Sequence, residues 1–346
     1  MKKSFLAEYL LTPWAMLPEA LDALLARFAS VVEGEKPPQA SIAGAGYHKV
    51  DRLAVIPVHG AIFPRDTEYT MYYGLTTNEG LQRAIGAAAE DGGVDKIVLD
   101  MDSPGGSVAG TMETGDLIFQ TREKKPVIAV VGSMAASAAY WMAAQASEIV
   151  VTPSGMGVGS IGVWTAHTDV SKMMEQWGRK VTLISSGKFK VDGHPYAPLS
   201  DSARADLQMK TDANYEEFLA AVARGRGTTA EAVRAGYGEG RMVLPRDAVA
   251  QGMADRVGTM KQTLVQLLRG DVAGRPGRAF NTLREFEGFL RDAGGCSRTE
   301  AAKLAAAGYA PAPANEPPAA TAEVIDEETA AALRAYTAAM TSTEAQ

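Results

Sequence analysis

Cysteine is almost missing from the 346 residues: Cys296 stands alone, so no internal disulfide can form. With four histidines and no CxxC pair, the chain also lacks the ligand set of a structural zinc site. Positive charge is in deficit, since 34 Lys+Arg against 41 Asp+Glu leave a net charge of −7. Such a chain has no global basic field to hold nucleic acid or an anionic membrane. Long apolar runs are absent as well, none approaching the roughly 20 residues that a membrane-spanning helix needs. The opening Met1-Lys2-Lys3 followed by Phe5 and Leu6 has the basic start of a secretion signal, but Glu8, Pro13 and Pro18 break its apolar stretch and no A-x-A site follows. These absences lead us to expect a cytoplasmic protein without metal or other cofactor, without a nucleic-acid partner and without a membrane span.

What is present is enough apolar residue, 46%, for a sizeable core. At roughly 100 to 200 residues per domain, the length allows two or three domains. Residues 1–50 read as an N-terminal helical arm, with Leu21, Leu24, Leu25 and Phe28 at helical spacing between Pro18 and Val32. From Leu53 onward, short β-branched runs alternate with amphipathic stretches. Ala54–Val58, Lys96–Met101, Val127–Val131, Ile149–Val151 and Val181–Ile184 predict strands. Thr77–Glu90, Ser107–Thr121, Met134–Ala146 and Asp169–Trp177 predict helices between them. The strand runs are too continuously apolar to be half solvated, which predicts an α/β domain with a mostly parallel, buried sheet over 51–262.

Three further helices close that region. Ser202–Arg224 reads as a long amphipathic helix, Thr228–Ala235 opens with Thr228 and Glu231 in capping-box spacing, and Arg246–Ala250 ends before Gly252 as a C-terminal cap. Residues 263–310 read as a linker and a helical hairpin carrying Leu283, Phe286, Phe289 and Leu290. The Pro/Ala-rich acidic tail at 311–346 has too few large apolar residues for a core and reads as disordered.

Chemistry is concentrated in three places. Asp102-Ser103-Pro104-Gly105-Gly106 follows a strand and precedes a helix, so its glycines can turn sharply and expose N–H groups to an anionic oxygen. Met134-Ala135-Ala136-Ser137-Ala138-Ala139-Tyr140 places a serine, ringed by alanines, where the next strand passes into a helix. A serine nucleophile needs a base. His48 and His59 precede the loops that carry the chemistry, and His167 and His194 lie downstream without a motif around them, although the order of a Ser-His-Asp triad along a chain is not fixed. A lysine can serve instead if its ammonium is desolvated, and Ser185-Ser186-Gly187-Lys188-Phe189-Lys190 offers two. Singly, each feature has a plainer explanation: a turn, a small-residue helix packing on the sheet, a solvated surface charge.

In their order along the chain, the motifs resemble the signal peptide peptidase A family of serine proteases. The set is Asp-Ser-Pro-Gly-Gly-Ser-Val from Asp102, Met-Ala-Ala-Ser-x-x-Tyr from Met134, Gly-Ser-Ile-Gly-Val from Gly159, Ser-Gly-x-x-Lys ending at Lys190, and the stretch from Gly240 to Gly258. The resemblance covers residues 50–260. It implies a Clp/crotonase-like α/β fold and a Ser/Lys dyad with Ser137 as nucleophile and Lys190 as general base. Gly106 and Ala138, with Gly105 beside them, would supply the oxyanion-binding N–H groups, and Ser160 would hold the lysine. A slip of two residues would exchange Lys190 for Lys188. Ala138-Ala139 stand where the family carries Gly-Gly, and the interval from Ser137 to Ser160 is about one residue longer than the family pattern.

Tyr9–Met16 and Leu283–Gly294 are similar to segments of phage and prophage relatives that mature capsids. The resemblance therefore implies an ATP-independent endopeptidase acting on scaffold, portal or coat proteins, assembled as a homo-oligomer. Against it stand a cellular signal-peptide-degrading protease, a Clp-type protease with a histidine base, a crotonase acting on acyl-CoA, and a catalytically idle assembly or scaffold protein.

Overall fold

The structure, a computed structural model, describes residues 13–20, 46–72, 75–269 and positions 330, 331, 334 and 337. The chain divides into two units, Met1–Ala273 with Glu327–Gln346, and Gly274–Asp326. All described residues belong to the first. The arm helix beyond residue 20, the hairpin, Cys296 and nearly all of the tail lie outside the described residues.

Two sheets organise the unit. The larger runs β11 (Met242–Val243), β10 (Gly157–Gly159), β8 (Val127–Ala136), β6 (Lys96–Ser103), β3 (Leu53–His59) and β2 (His48–Val50). From β8 it branches to β9 (Glu148–Val151) and then β12 (Arg256–Val257). The pairs β3/β6, β6/β8, β8/β9, β8/β10 and β9/β12 are parallel, while β2/β3 and β10/β11 are antiparallel. The mixed α/β architecture with a mostly parallel sheet is the one the apolar runs predict. Parallel strands are covered on both faces, and period-two alternation sorts their side chains accordingly. Ile56, Ile97, Leu99, Val127, Ala129, Ile149 and Val151 face one core. Val55, Val98, Ile128, Val130 and Val150 face the other, closed by Leu264 and Leu267.

The helices are α1 (Glu68–Tyr72), α2 (Asn78–Glu90), α3 (Thr111–Thr121), α4 (Ala138–Ala143), α5 (Ser171–Gln176), α6 (Asp201–Arg226), α7 (Ala230–Gly236), α8 (Pro245–Ala250) and α9 (Met260–Leu268). Local signals explain several boundaries. Thr77 caps α2 by accepting the Gly80 N–H, and α9 opens with a full capping box between Thr259 and Gln262. Helix α7 is capped by Thr229, which accepts from the Ala232 N–H, one residue later than the capping-box spacing predicts.

Three expectations are corrected. Val181–Ile184 forms no strand. Although β-branched, it lies exposed, Ile184 at 95%, because no described strand edge is there to pair with it. Helix α6 is not amphipathic along its length, as burial is concentrated from Phe218 to Gly225 and Met209 is exposed. The strand β8 runs on to Ala136, so the helix begins after Ser137 rather than at Met134.

The end of α6 is anchored by a buried ion pair. Arg226 forms two bonds with Asp255, at 2.9 and 2.8 Å, and donates from Nε to the Gly252 carbonyl at 2.9 Å. Asp255 Oδ2 also accepts the Ile149 N–H at 2.7 Å. Burial works against the Arg226 charge, but the bonds and attraction from Asp255 outweigh it, and its pKa is held above the ordinary guanidinium value. Arg226 and Asp255 side chains are 4% and 9% exposed, so removing one partner leaves a charge stranded away from water. Asp255→Ala is expected to destabilise the fold by about 3 to 5 kcal/mol, read as a lower urea midpoint at unchanged slope.

Candidate active site

The smaller sheet builds the site. Its order is β1 (Trp14–Met16), β7 (Gly105–Ser107), β4 (Ile62–Phe63) and β5 (Thr76–Thr77). Strand β7 begins with the two glycines that end the Asp-Ser-Pro-Gly-Gly motif, which leaves β6 at Ser103 and enters the second sheet two residues later. It pairs with β4 through Gly106 and Ile62, and antiparallel with β1 on the other side.

Glycine is required at both positions of this turn. A Cβ at Gly106 would lie 2.0 Å from the Ile62 carbonyl oxygen. At Gly105, where φ is +99°, it would lie 2.2 Å from the Ala15 oxygen, 2.9 Å from that of Ala136 and 3.0 Å from Ser137 Cβ. The Gly-Gly pair thus lets three backbones converge on Ser137.

Ser137 sits between β8 and α4 with φ +54° and ψ −118°. A non-glycine residue there carries strain on the order of 1 to 3 kcal/mol, which the surroundings must hold. The Ser137 N–H donates to the Gly159 carbonyl at 2.7 Å, and Oγ donates to that of Gly162 at 3.4 Å. Just behind the serine, Tyr140 donates to the Met253 carbonyl at 3.0 Å, and Trp141 stacks on Phe218 at 4.5 Å between centroids. These contacts seat the first turn of α4 against the core.

The structure brings Ser137, Ser160, Gly105, Gly106 and Ala138 together. Ser160 directly follows β10, with φ +53°, and its N–H donates to the Arg241 carbonyl at 2.9 Å. Ala138 is the first residue of α4, so its N–H is one of those a helix start leaves without an intrahelical acceptor. The Gly105 N–H is directed instead to Ser103 Oγ at 3.2 Å. Lys190 is not brought in: it is exposed, and among the described residues no hydrogen bond joins it to Ser137 or Ser160. Lys188 is exposed too and lies over the Phe189 ring at 4.8 Å. His59 has a carboxylate partner, Asp100 at 3.1 Å, but is not bonded to Ser137.

A strained serine at a strand-to-helix turn, opposite a Gly-Gly strand and next to a helix N-terminus, is an arrangement that can support acyl transfer, with a hydroxyl set beside backbone N–H donors. Residues 120–271 match the model of Peptidase family S49. That segment contains Ser137, Ser160 and Lys190, and it is the family to which the motifs point.

Among curated proteins, the chain is 37% identical over 211 residues to the capsid assembly protease C of Escherichia phage lambda, covering 61% of this chain and 47% of that protein. It is 34% identical over 211 residues to the head-tail preconnector protein of Enterobacteria phage P21, covering 61% of this chain and 42% of that one. The chain thus spans about half the length of these relatives or less. Among solved structures, a membrane-bound stomatin-specific protease, 1510-N, matches with a TM-score of 0.39 at 19% identity, covering 62% of this chain and 79% of that one. No helix among the described residues is long and apolar enough to cross a membrane.

One pair that sequence reasoning missed is His59–Asp100, since nothing in their spacing shows that β3 and β6 lie side by side. The hydrogen bond that the His59 ring donates to the Asp100 carboxylate raises the His59 pKa, against the opposing effect of burial. A histidine whose folded pKa is raised adds stability below its unfolded value, near 6.5, and loses it as pH rises through the folded value. His59→Gln is therefore expected to cost more stability at pH 6 than at pH 9. An NMR titration of the His59 ring should show a midpoint above 6.5.

Proposed function

We propose that the chain is an ATP-independent serine endopeptidase of the capsid-maturation type, using Ser137 as nucleophile and Lys190 as general base. The observation that carries this reading is the Ser137 turn, set against Gly105 and Gly106 with the Ala138 N–H alongside. Ser137 Oγ would attack a peptide carbonyl, its proton passing to the neutral Lys190 amine. The oxyanion would be held by the N–H groups of Gly106 and Ala138, and water activated by the same lysine would release the acyl-enzyme. Ser160 would position the lysine. Similarity to a capsid assembly protease of a phage supports scaffold, portal or coat proteins as substrates, in the host cytoplasm or the assembling prohead.

Lys190 must move to serve as the base. The segment bearing it exposes Trp177, Leu183, Ile184 and Phe189. A homo-oligomer in which a second copy covers this segment would bury those side chains and desolvate the lysine. In this reading residues 51–262 form the body of the peptidase domain, to which Trp14–Met16 and His48–Val50 add strands and Met260–Leu268 a closing helix.

The unbonded Lys190 favours one other reading, a catalytically idle assembly protein. The two separate on an activity measurement with folded variants. Ser137→Ala and Lys190→Ala are each expected to lower cleavage of an unfolded protein such as casein by about 10³-fold or more, with the circular dichroism spectrum and oligomer size unchanged. Absence of cleavage by the wild type would select the idle reading, and full activity in Lys190→Ala would remove that residue as the base.

A further inference from the structure

One strand beside Ser137 comes from the N-terminal part of the chain itself. Trp14, Ala15 and Met16 are 2%, 0% and 1% exposed, although they precede the first strand of the main sheet by some distance along the sequence. They are bonded along both edges, as an extended peptide would be in a cleft. On one edge, Trp14 exchanges two hydrogen bonds with Trp164, N–H to carbonyl at 2.9 Å and the reverse at 3.0 Å. On the other, Leu17 N–H donates to the Pro104 carbonyl at 3.1 Å, and Val108 N–H to the Pro13 carbonyl at 3.3 Å.

Hydrogen-bonded pairs alternate in an antiparallel ladder. With Pro13/Val108 and Leu17/Pro104 bonded, the intervening pair in register, Ala15/Gly106, is the one that exchanges both bonds. The Ala15 carbonyl therefore takes the N–H of Gly106, the same N–H that the acyl-transfer reading assigns to the oxyanion. That carbonyl oxygen is 2.2 Å from the place where a Gly105 Cβ would be, and Ser137 Cβ is 3.0 Å from that same place. Beyond it, the Trp164 indole Nε1 donates to the Met16 carbonyl at 2.9 Å and holds the following residue. An extended strand with one carbonyl on the Gly106 N–H and passing beside Ser137 has the posture of a substrate.

We propose that the Ala15–Met16 peptide bond is a substrate of Ser137, so that the chain cuts its own N-terminal segment. This rests on the serine-peptidase reading above. Ser137 Oγ gives its proton to the lysine base as it bonds to the Ala15 carbonyl carbon. The C–N bond to Met16 breaks, and the proton goes to the Met16 nitrogen. Water then hydrolyses the ester, leaving an Ala15 carboxylate and a new amino terminus at Met16. Until that strand leaves, a second peptide cannot pair with β7.

Intact-mass spectrometry of the full chain, run in the same tube as cleavage of added casein, tests this. Loss of residues 1–15 in the wild type and retention of the full mass in Ser137→Ala are expected. Met16→Pro is expected to keep its full mass and to cleave casein more slowly than the wild type, because the uncut strand still occupies β7; the Met16 N–H lies in a non-bonded pair of the ladder, so the change removes no β7 bond. Casein cleaved by a wild type that keeps its full mass, or that is cut elsewhere with Ala15–Met16 intact, would overturn the proposal and leave the peptidase reading standing. Neither substrate cut would overturn both.

Discussion

The whole site depends on three stretches of backbone coming closer than any side chain allows. Gly106 lies against Ile62, and Gly105 against Ala15, Ala136 and Ser137, at separations where a Cβ would overlap carbonyl oxygens. One methyl group at Gly106 would push β4 and β7 apart, because the contact it meets is backbone and cannot rotate away. The two sheets are joined by this same turn, since β6 of the large sheet runs through Ser103 and Pro104 into β7 of the small one. Glycine at these positions thus decides both whether the sheets meet and where the N–H groups point.

The strain at Ser137 is held by the elements on either side. Its N–H is tied to Gly159, so the serine cannot relax without pulling β10 from its register with β8. Its helix is pinned from below by Trp141 on Phe218, and α6 is fixed in turn by Arg226 on Asp255. Asp255 also bonds to Ile149 in β9. A chain of contacts therefore runs from a buried ion pair through α6 to Ser137, and each link is buried, where hydrogen bonds and packing hold a single geometry best.

The large sheet was legible in the sequence because its strands announce themselves. Ile97–Leu99 and Val127–Val131 are continuous apolar runs, and such runs at a parallel sheet's centre have few other places to go. The short strands were not legible. Ile62–Phe63, Thr76–Thr77 and Gly105–Ser107 are too brief for any periodicity, and they are strands only because tertiary contacts supply partners. The reverse failure is Val181–Ile184, whose propensity is right and whose partner is missing. Of the candidate site, the serine at a strand-to-helix junction and the sharp Gly-Gly turn were readable from residue type and order. The His59–Asp100 pair needs the β3/β6 register, and the seating of Trp14–Met16 needs the β1/β7 register.

That last register changes what the N-terminal residues mean. A segment with two prolines and a tryptophan reads as an arm, and an arm has no reason to be buried. Backbone pairing supplies one: a β-strand edge accepts any extended chain, because its donors and acceptors belong to every residue alike. Specificity must then come from side chains, and here the fit is narrow. Gly105 leaves room for the Ala15 carbonyl, while Trp164 reaches across to Met16 with its indole and to Trp14 with its backbone. A groove that recognises peptides chiefly by their backbone is filled most readily by the strand tethered beside it, since a tethered segment has a high effective concentration and little further entropy to lose. The same geometry that would let this cleft take a foreign polypeptide therefore favours its own chain first.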